Sequence, residues 1–357
     1  MSFDSQPDVS VIVPARNEED CLADCLRSLV EQHGPSHEII VVDDHSTDNT
    51  RRIAEQFPVR LLTADPLPPG WSGKCNAVWT GAKVARGKWL LFTDADTRHA
   101  TDSIAAGLEE ATRVGTALLS YSPKQEVHGF AERALMPVIF AELAATYRPK
   151  EVSDPNAPVA AANGQYLLIR RDAYEAVGGH AAVADAILED VELAKVLKHA
   201  GYRLQFRQSD VVSTRMYRTF PQMWEGWTKN LALLFPDARG LAARRMLEFL
   251  AIGASAGIAL SKAKRGEFLK SGLAAGAAGV LGFLFFRRIR RAHFDPQSNV
   301  FAYFGLPLFS LLLLNSDISH NRGTVNWKGR SYRGGARPDG DRHLERTEKR
   351  PSETYNE

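Results

Sequence analysis

Two carboxylates one residue apart, Asp94 and Asp96, end the segment Lys88–Asp96, KWLLFTDAD. Trp89–Phe92 is an apolar run too short for a typical helix and bounded by Gly87, so it reads as a buried strand. Acids that close a core strand are costly unless something offsets their charge. They also stand at the C-terminal end of a strand, where open α/β sheets bind their ligands. A hard divalent cation carrying a phosphate ester would neutralise them, because Mg2+ takes one or two carboxylates and completes its shell with phosphate oxygens and water. Their alternative role is a solvated turn in which either acid caps the following helix. Two further acid pairs stand at element ends, Asp43-Asp44 behind an apolar run and Glu189-Asp190 ahead of a helical stripe. Lys74, directly after Gly73, could reach a phosphate from a helix N-terminus or stay a solvated surface lysine.

Bringing these groups together takes a sheet. Val9–Val13 is a β-branched run stopped by Pro14, and Asn17 is expected to cap a helix striped by Leu22, Leu26 and Leu29. Glu38–Val42 predicts a second buried strand that stops on Asp43-Asp44. Ser46 or Thr47 then starts a helix through Phe57, and Val59–Leu62 is a short third strand. A Pro- and Gly-rich loop, Thr63–Gly73, leads to a helix from Lys74 to Ala85, and the Trp89–Thr93 strand follows. Strands alternating with helices predict an α/β fold with a mostly parallel sheet flanked by helices. Right-handed crossovers place the strand C-termini along one edge, so Pro14–Glu18, Asp43-Asp44 and Asp94–Asp96 converge there. That is a nucleotide pocket in outline. GxGxxG after the first strand and GxxxxGK[ST] anywhere are both missing, which removes the main support for dinucleotide and P-loop readings. Asp44 can instead accept hydrogen bonds from a base or ribose.

The second half supplies a strand at Gln165–Ile169 after the turn dipeptide Asn163-Gly164. Ala186–Ala200 is expected to be helical, with Ile187, Val191, Ala194 and Leu197 on one stripe. Glu189 and Asp190 fall in its first turn, where acids complement the helix dipole. A carboxylate whose pKa is raised by a partly apolar pocket could also act there as a general base. Trp224 and Trp227 lie on a helical pattern and could face an apolar acceptor, anchor at an interface or pack in a core.

At 357 residues the chain can hold one large domain or two smaller ones, and its net charge of +2 gives no field that would favour nucleic acid. Cys21, Cys25 and Cys75 form no CxxC pair, which fits a reducing setting, and the polar N-terminus shows no signal peptide. After Arg244-Arg245 the composition changes. Met246–Leu260, Gly272–Phe286 and Val300–Leu314 are apolar and nearly uncharged, each below the roughly 20 residues of a comfortable span. They read as short or tilted spans, or as a hairpin with re-entrant and interfacial pieces; a buried helical domain is the soluble alternative. The basic cluster Arg287–Arg291 is expected on the cytoplasmic side.

PARNEE (Pro14–Glu19), VVDDHSTDNT (Val41–Thr50), GKCNA (Gly73–Ala77) and TDAD (Thr93–Asp96), in that order, resemble the nucleotide-sugar half of family-2 glycosyltransferases of the GT-A fold. The likeness continues through Asn163-Gly164, Leu188-Glu189-Asp190 and Arg215–Asn230. Within that family the PPGWSGK loop, MYRTFPQMWEGWTKN and WKGRSYR (Trp327–Arg333) resemble membrane-bound enzymes that glycosylate lipids, such as hopanoid-associated and carotenoid glycosyltransferases. The resemblance implies inverting transfer from a nucleotide-diphosphate sugar, a UDP-sugar by family habit, to a hopanoid, carotenoid or polyisoprenoid lipid at the cell membrane. It implies nucleotide-sugar contacts from Pro14, Ala15, Arg16, Glu18, Asp44, Lys74, Asp94, Ala95, Arg215 and Arg218, and Mg2+ or Mn2+ on Asp94 and Asp96. Asp190 would be the catalytic base with Glu189 beside it, and Asn163, Trp224 and Trp227 would meet the acceptor. Arg215–Arg218 resembles the (Q/R)xxRW element, but Thr219 stands where the tryptophan belongs, which argues against a processive polysaccharide synthase. The expected division is a catalytic domain at 1–240, a helical membrane-associated region at 241–320 and a polar, mostly disordered tail at 321–357. A sugar-nucleotide nucleotidyltransferase, which normally carries a Gly-rich loop after its first strand, and a non-catalytic nucleotide-sugar-binding membrane protein are the rival readings.

Overall fold

The computed structural model describes residues 6–292, 294–327 and 330–332. The first half alternates as expected: β1 (Val9–Ala15), α1 (Leu22–Val30), β2 (His37–Asp43), α2 (Thr50–Ala54), β3 (Arg60–Thr63), α3 (Gly73–Val84), β4 (Trp89–Phe92), β5 (Thr97–His99) and α4 (Ser103–Val114). Then come β6 (Leu118–Gln125), α5 (Gly129–Thr146), α6 (Pro149–Ser153), β7 (Leu167–Arg170), α7 (Arg171–Ala176), α8 (Glu189–His199), β8 (Leu204–Thr214) and α9 (Phe220–Leu234).

Eight strands form one sheet in the order β3-β2-β1-β4-β7-β6-β8-β5. The strands β1 to β4 are mutually parallel, β6 pairs parallel with β8, and β7 runs against both of its neighbours. With β5 reversed against β8, only β7 and β5 oppose the common direction of this mostly parallel sheet. The central strands are apolar on both faces, as parallel strands covered by helices must be. Ile12, Ile40 and Phe92 join one core with α3 and α8, while Val11, Val13, Val41 and Leu91 join the other with α1 and α4.

Two local expectations are corrected. Asn17 does not cap α1, which starts after Cys21 without a side-chain cap. Asn17 takes φ 52°, and its Oδ1 accepts from the Thr47 N–H at 2.9 Å. The helix expected from Ser46 or Thr47 through Phe57 shrinks to α2, because Asp43 Oδ1 accepts from Ser46 N–H and Asp48 Oδ1 from Thr50 N–H. Such local side-chain bonds offer the backbone an alternative to helix.

The C-terminal third is α10 (Ala238–Lys264), α11 (Phe268–Ile289) and α12 (Pro296–Arg322), each long and apolar enough to cross a membrane. They outrun the apolar runs that predicted them. The apolar windows of α10 and α11 are almost wholly exposed, whereas half of the α12 window is buried. α12 packs against α5 and α9, and a Cβ at Gly305 would overlap the Ala134 carbonyl, so glycine is what lets α12 approach α5. Glu142 on α5, Arg245 and Glu248 on α10, and Arg288 on α11 form a closed ion network. Its links are Arg245–Glu142 (3.0 Å), Arg245–Glu248 (2.8 Å), Arg288–Glu142 (3.1 Å) and Arg288–Glu248 (2.7 Å). Both ends of the α10–α11 hairpin are thereby tied to the catalytic half. The stretch assigned to a polar tail opens with the last residues of α12 and a hairpin, β9 (Val325–Trp327) and β10 (Arg330–Tyr332); the rest of it lies outside the described residues.

Candidate active site

The strand ends meet at a cavity of about 830 Å³. Pro14, Ala15, Arg16 and Glu18 line it from the end of β1, Asp44 from the end of β2, and Asp94, Ala95 and Asp96 from the end of β4. Lys74 opens α3, Glu189 and Asp190 open α8, Asn163 and Gly164 precede β7, and Arg215, Arg218 and Trp227 come from β8–α9. Every site residue expected from the sequence reaches this one cavity except Trp224, which stacks on Phe220 at 5.7 Å and packs against the α5–α9–α12 core. Trp227 lines the cavity but is only 3% exposed; its Nε1–H points at Met136 Sδ and its ring meets Phe140 and Tyr217 edge-on. Of the three roles open to Trp227, core packing is the one its contacts display.

A buried polar relay props the acid turn. Thr93 Oγ1 donates to the Gln165 carbonyl at 2.8 Å and lies 3.0 Å from His99 Nε2, while His99 Nδ1 lies 3.0 Å from Ser103 Oγ. Burial pushes the His99 pKa down to about 3, so the ring is a neutral strut.

Lys74 Nζ sits between Asp94 Oδ1 (2.8 Å) and Glu189 Oε1 (2.7 Å). Burial works against its charge, but Asp94, Glu189 and Asp190 outweigh that and hold its pKa well above the lysine range. The Asp190 carboxylate accepts from Gly164 N–H (2.7 Å) and Val191 N–H (2.8 Å). Burial and then the Glu189 charge push the Asp190 pKa up to about 6, against the pull of Lys74 and those two donors. A carboxylate tuned to that value suits proton transfer near neutral pH. Gly164 keeps the approach to these groups open: a Cβ there would stand 3.1 Å from Lys74 Nζ and 3.5 Å from Asp190 Oδ2.

The cationic side chains are partly committed. Arg215 pairs with Glu132 at 3.2 Å, Arg218 donates to the Asp20 carbonyl at 2.6 Å, and Arg16 donates to the Asp44 carbonyl at 2.6 Å. Among the described residues no group of three or more His, Cys, Asp or Glu side chains could hold a metal by itself. Asp94 and Asp96 are two hard oxygen donors at one rim, so they fit a Mg2+ or Mn2+ whose shell is completed by phosphate oxygens.

The cavity has an apolar wall that sequence reasoning missed, made by Phe140, Leu143 and Ala144 of α5, Tyr147 just after it, and Leu234 of α9. Lys229, Trp327, Gln165 and Asn230 also line it, and Gln165 Oε1 and Asn230 Oδ1 are buried without a hydrogen-bond partner among the described residues.

The glycosyl transferase family 2 model matches residues 10–178, the stretch that holds nearly all of β1 through β7 with Asp44, Asp94 and Asp96, and ends before Glu189-Asp190. Residues 10–178 are a glycosyltransferase family 2 domain. This glycosyltransferase is 28% identical over 340 residues to the 4,4'-diaponeurosporenoate glycosyltransferase of Staphylococcus aureus, covering 91% of this chain and 88% of that one. It is 31% identical over 252 residues to the Staphylococcus haemolyticus enzyme of the same name, covering 65% of each. A solved mannosyltransferase from Pyrobaculum calidifontis, in complex with GDP-Man and Mn2+, superposes with a TM-score of 0.52 at 19% identity, over 88% of this chain and 87% of that one. That likeness shows the fold, the GT-A arrangement expected from the motif order.

Proposed function

We propose that this glycosyltransferase moves a sugar, with inversion, from a nucleotide-diphosphate sugar to a lipid acceptor at the membrane. One observation carries the reading: the acids of three separate segments, Asp44, Asp94-Asp96 and Asp190, line a single cavity whose other wall is apolar. The donor's base and ribose fit Asp44 and the Pro14–Glu18 loop. Its diphosphate fits Lys74 with Arg215 or Arg218, which can give charge-assisted hydrogen bonds to phosphate oxygens. Mg2+ or Mn2+ held by Asp94 and Asp96 would add charge stabilisation for the departing diphosphate. Asp190 takes the proton of the acceptor's hydroxyl or carboxyl. The freed oxygen forms its bond to the anomeric carbon as the bond to the β-phosphate breaks, and that electron pair leaves on the nucleoside diphosphate. A UDP-sugar donor and a carotenoid, hopanoid or polyisoprenoid acceptor are the partners that fit, the carotenoid supported by the staphylococcal relatives' names.

For the membrane we propose a hairpin anchor with the catalytic domain in the cytoplasm. The Glu142–Arg245–Glu248–Arg288 network holds both ends of α10–α11 on the catalytic side, together with the Arg287–Arg291 cluster. The 14 residues from Glu248 to Lys262 in α10 rise about 21 Å, short of a hydrocarbon core about 30 Å thick. The hairpin therefore enters deeply and reaches the far headgroups only through snorkelling Lys262, Lys264 and Lys270. The exposed stripe Val300, Phe304, Leu311, Leu314 and Ile318 lets α12 lie along the bilayer while staying packed on α5.

The test is to feed isotope-labelled nucleotide sugars to membranes with and without the chain, then analyse the lipids by mass spectrometry. A labelled glycolipid that depends on the chain is expected. Labelled sugar appearing only on soluble products or polysaccharide overturns the lipid-acceptor reading.

A further inference from the structure

Lys229, on α9, lines the cavity half-buried. Its Nζ stands 5.4 Å from the centre of the Trp327 ring, which the β9–β10 hairpin brings back against α9. That cation–π contact fixes where the charge sits without neutralising it. Among the described residues its ammonium has no hydrogen bond and no ion pair, in contrast to Lys74, Arg215 and Arg218 in the same cavity. Burial, with the Lys74 charge, holds its pKa below the usual lysine range, and the charges of Glu189, Asp94 and Asp190 offset only part of that. A half-buried cation without a counter-ion needs its anion from a ligand. The diphosphate already has Lys74 and the β8–α9 arginines. Lys229 instead shares α9 with Leu234, which faces the apolar wall of Phe140, Leu143 and Ala144.

We propose that Lys229 is the residue that recognises the acceptor, and that the acceptor it selects is an apolar carboxylic acid rather than an apolar alcohol. The inference rests on the glycosyltransfer reading above. An acid leaving the bilayer in its neutral form gives its carboxyl proton to Asp190. One carboxylate oxygen then bonds to the anomeric carbon while Lys229 holds the other. The bond to the β-phosphate breaks, its electron pair leaves on the nucleoside diphosphate, and the product is a sugar ester. Glu189, Asp94 and Asp190 share the cavity, so without the ammonium a further carboxylate has no cation on α9 to offset their repulsion. An alcohol loses no comparable partner.

The experiment uses the full chain in detergent with retinoic acid and retinol, and with palmitic acid and hexadecanol, as matched acceptor pairs. The donor is UDP-glucose or GDP-mannose, whichever the wild type turns over. The wild type is expected to prefer the acids. Lys229→Met should lose about 10- to 100-fold in kcat/KM for the acids, through KM, with little change for the alcohols or for donor Kd. Lys229→Arg should recover part of the acid preference. An intact acid preference in Lys229→Met, an equal loss for acids and alcohols, or a weakened donor Kd overturns the proposal. A wild type that glycosylates only the alcohols overturns it while leaving the glycosyltransfer reading standing; a wild type that modifies neither the probes nor extracted lipids sinks both.

Discussion

Lys74 and Glu189 open two different helices, α3 and α8, yet Lys74 Nζ stands 2.7 Å from Glu189 Oε1 while also holding Asp94 Oδ1 at 2.8 Å. One ammonium thus couples the acids at the end of β4 to the pair that carries Asp190. Glu189 is 5% exposed, so removing Lys74 would leave a buried carboxylate without its ion pair.

The coupling sets the acid limb of the pH–rate profile. Asp190, with its pKa up to about 6, is the proposed base, so kcat/KM should fall about tenfold per pH unit below that value. Lys74 lowers the Asp190 pKa and Glu189 raises it. Lys74→Met should therefore move the acid limb to higher pH, and Glu189→Gln should move it lower. Profiles shifting in the same direction in both variants would contradict the assignment.

Chelation addresses the rim. EDTA should abolish transfer, and Mn2+ or Mg2+ should restore it. Asp96→Asn should raise the cation concentration needed for half-maximal rate by about tenfold or more, since one of two carboxylate donors is lost. Full activity of the wild type in EDTA would remove the cation from the account.

The two tryptophans should part company. Trp227→Ala removes a buried ring from the α5–α9 core and should cost about 3–5 kcal/mol in denaturant unfolding. Trp224→Ala removes a half-buried ring from the edge of that core and should cost less, about 1–2 kcal/mol, with acceptor KM unchanged, because Trp224 does not line the cavity. A raised acceptor KM in Trp224→Ala would restore the role first expected for it.

The exposed faces of α10 and α11 should be what holds the chain to lipid. Leu273 and Phe283 are 70% and 66% exposed, and a glutamate at either position would place a charge in hydrocarbon at a cost of about 2–3 kcal/mol. The double variant Leu273→Glu/Phe283→Glu should leave the carbonate-washed membrane pellet, whereas Val30→Glu, on a surface distant from the hairpin in sequence, should not. Retention of the double variant would count against a hairpin anchor.

How far the sequence carried is clearest at β1, β2 and β4. Their short apolar runs, β-branched in β1 and β2 and Trp-Leu-Leu-Phe in β4, read as doubly covered strands, and the acids behind them line one cavity. α2 is shorter than the sequence suggests because Asp48 takes the Thr50 N–H that a helix from Ser46 would have used, while Asp43 holds the Ser46 N–H in the preceding turn. The partial burial of α12 was illegible for a different reason: a helix that is apolar all round suits lipid and α5 equally well. Lys229 carried no signal of its own. Its meaning depends on Trp327, which only the β9–β10 hairpin returns to α9. The Lys74–Glu189 contact is likewise invisible to spacing, since it needs the α3 and α8 N-termini on one edge.

The most direct measurement compares wild type and Asp190→Asn in two assays on the same preparation: calorimetric donor binding and transfer of labelled sugar to lipid. The expected result is an unchanged donor Kd with transfer reduced about 100- to 10,000-fold, the usual range for loss of a general base. Wild-type transfer by a folded Asp190→Asn chain would contradict it.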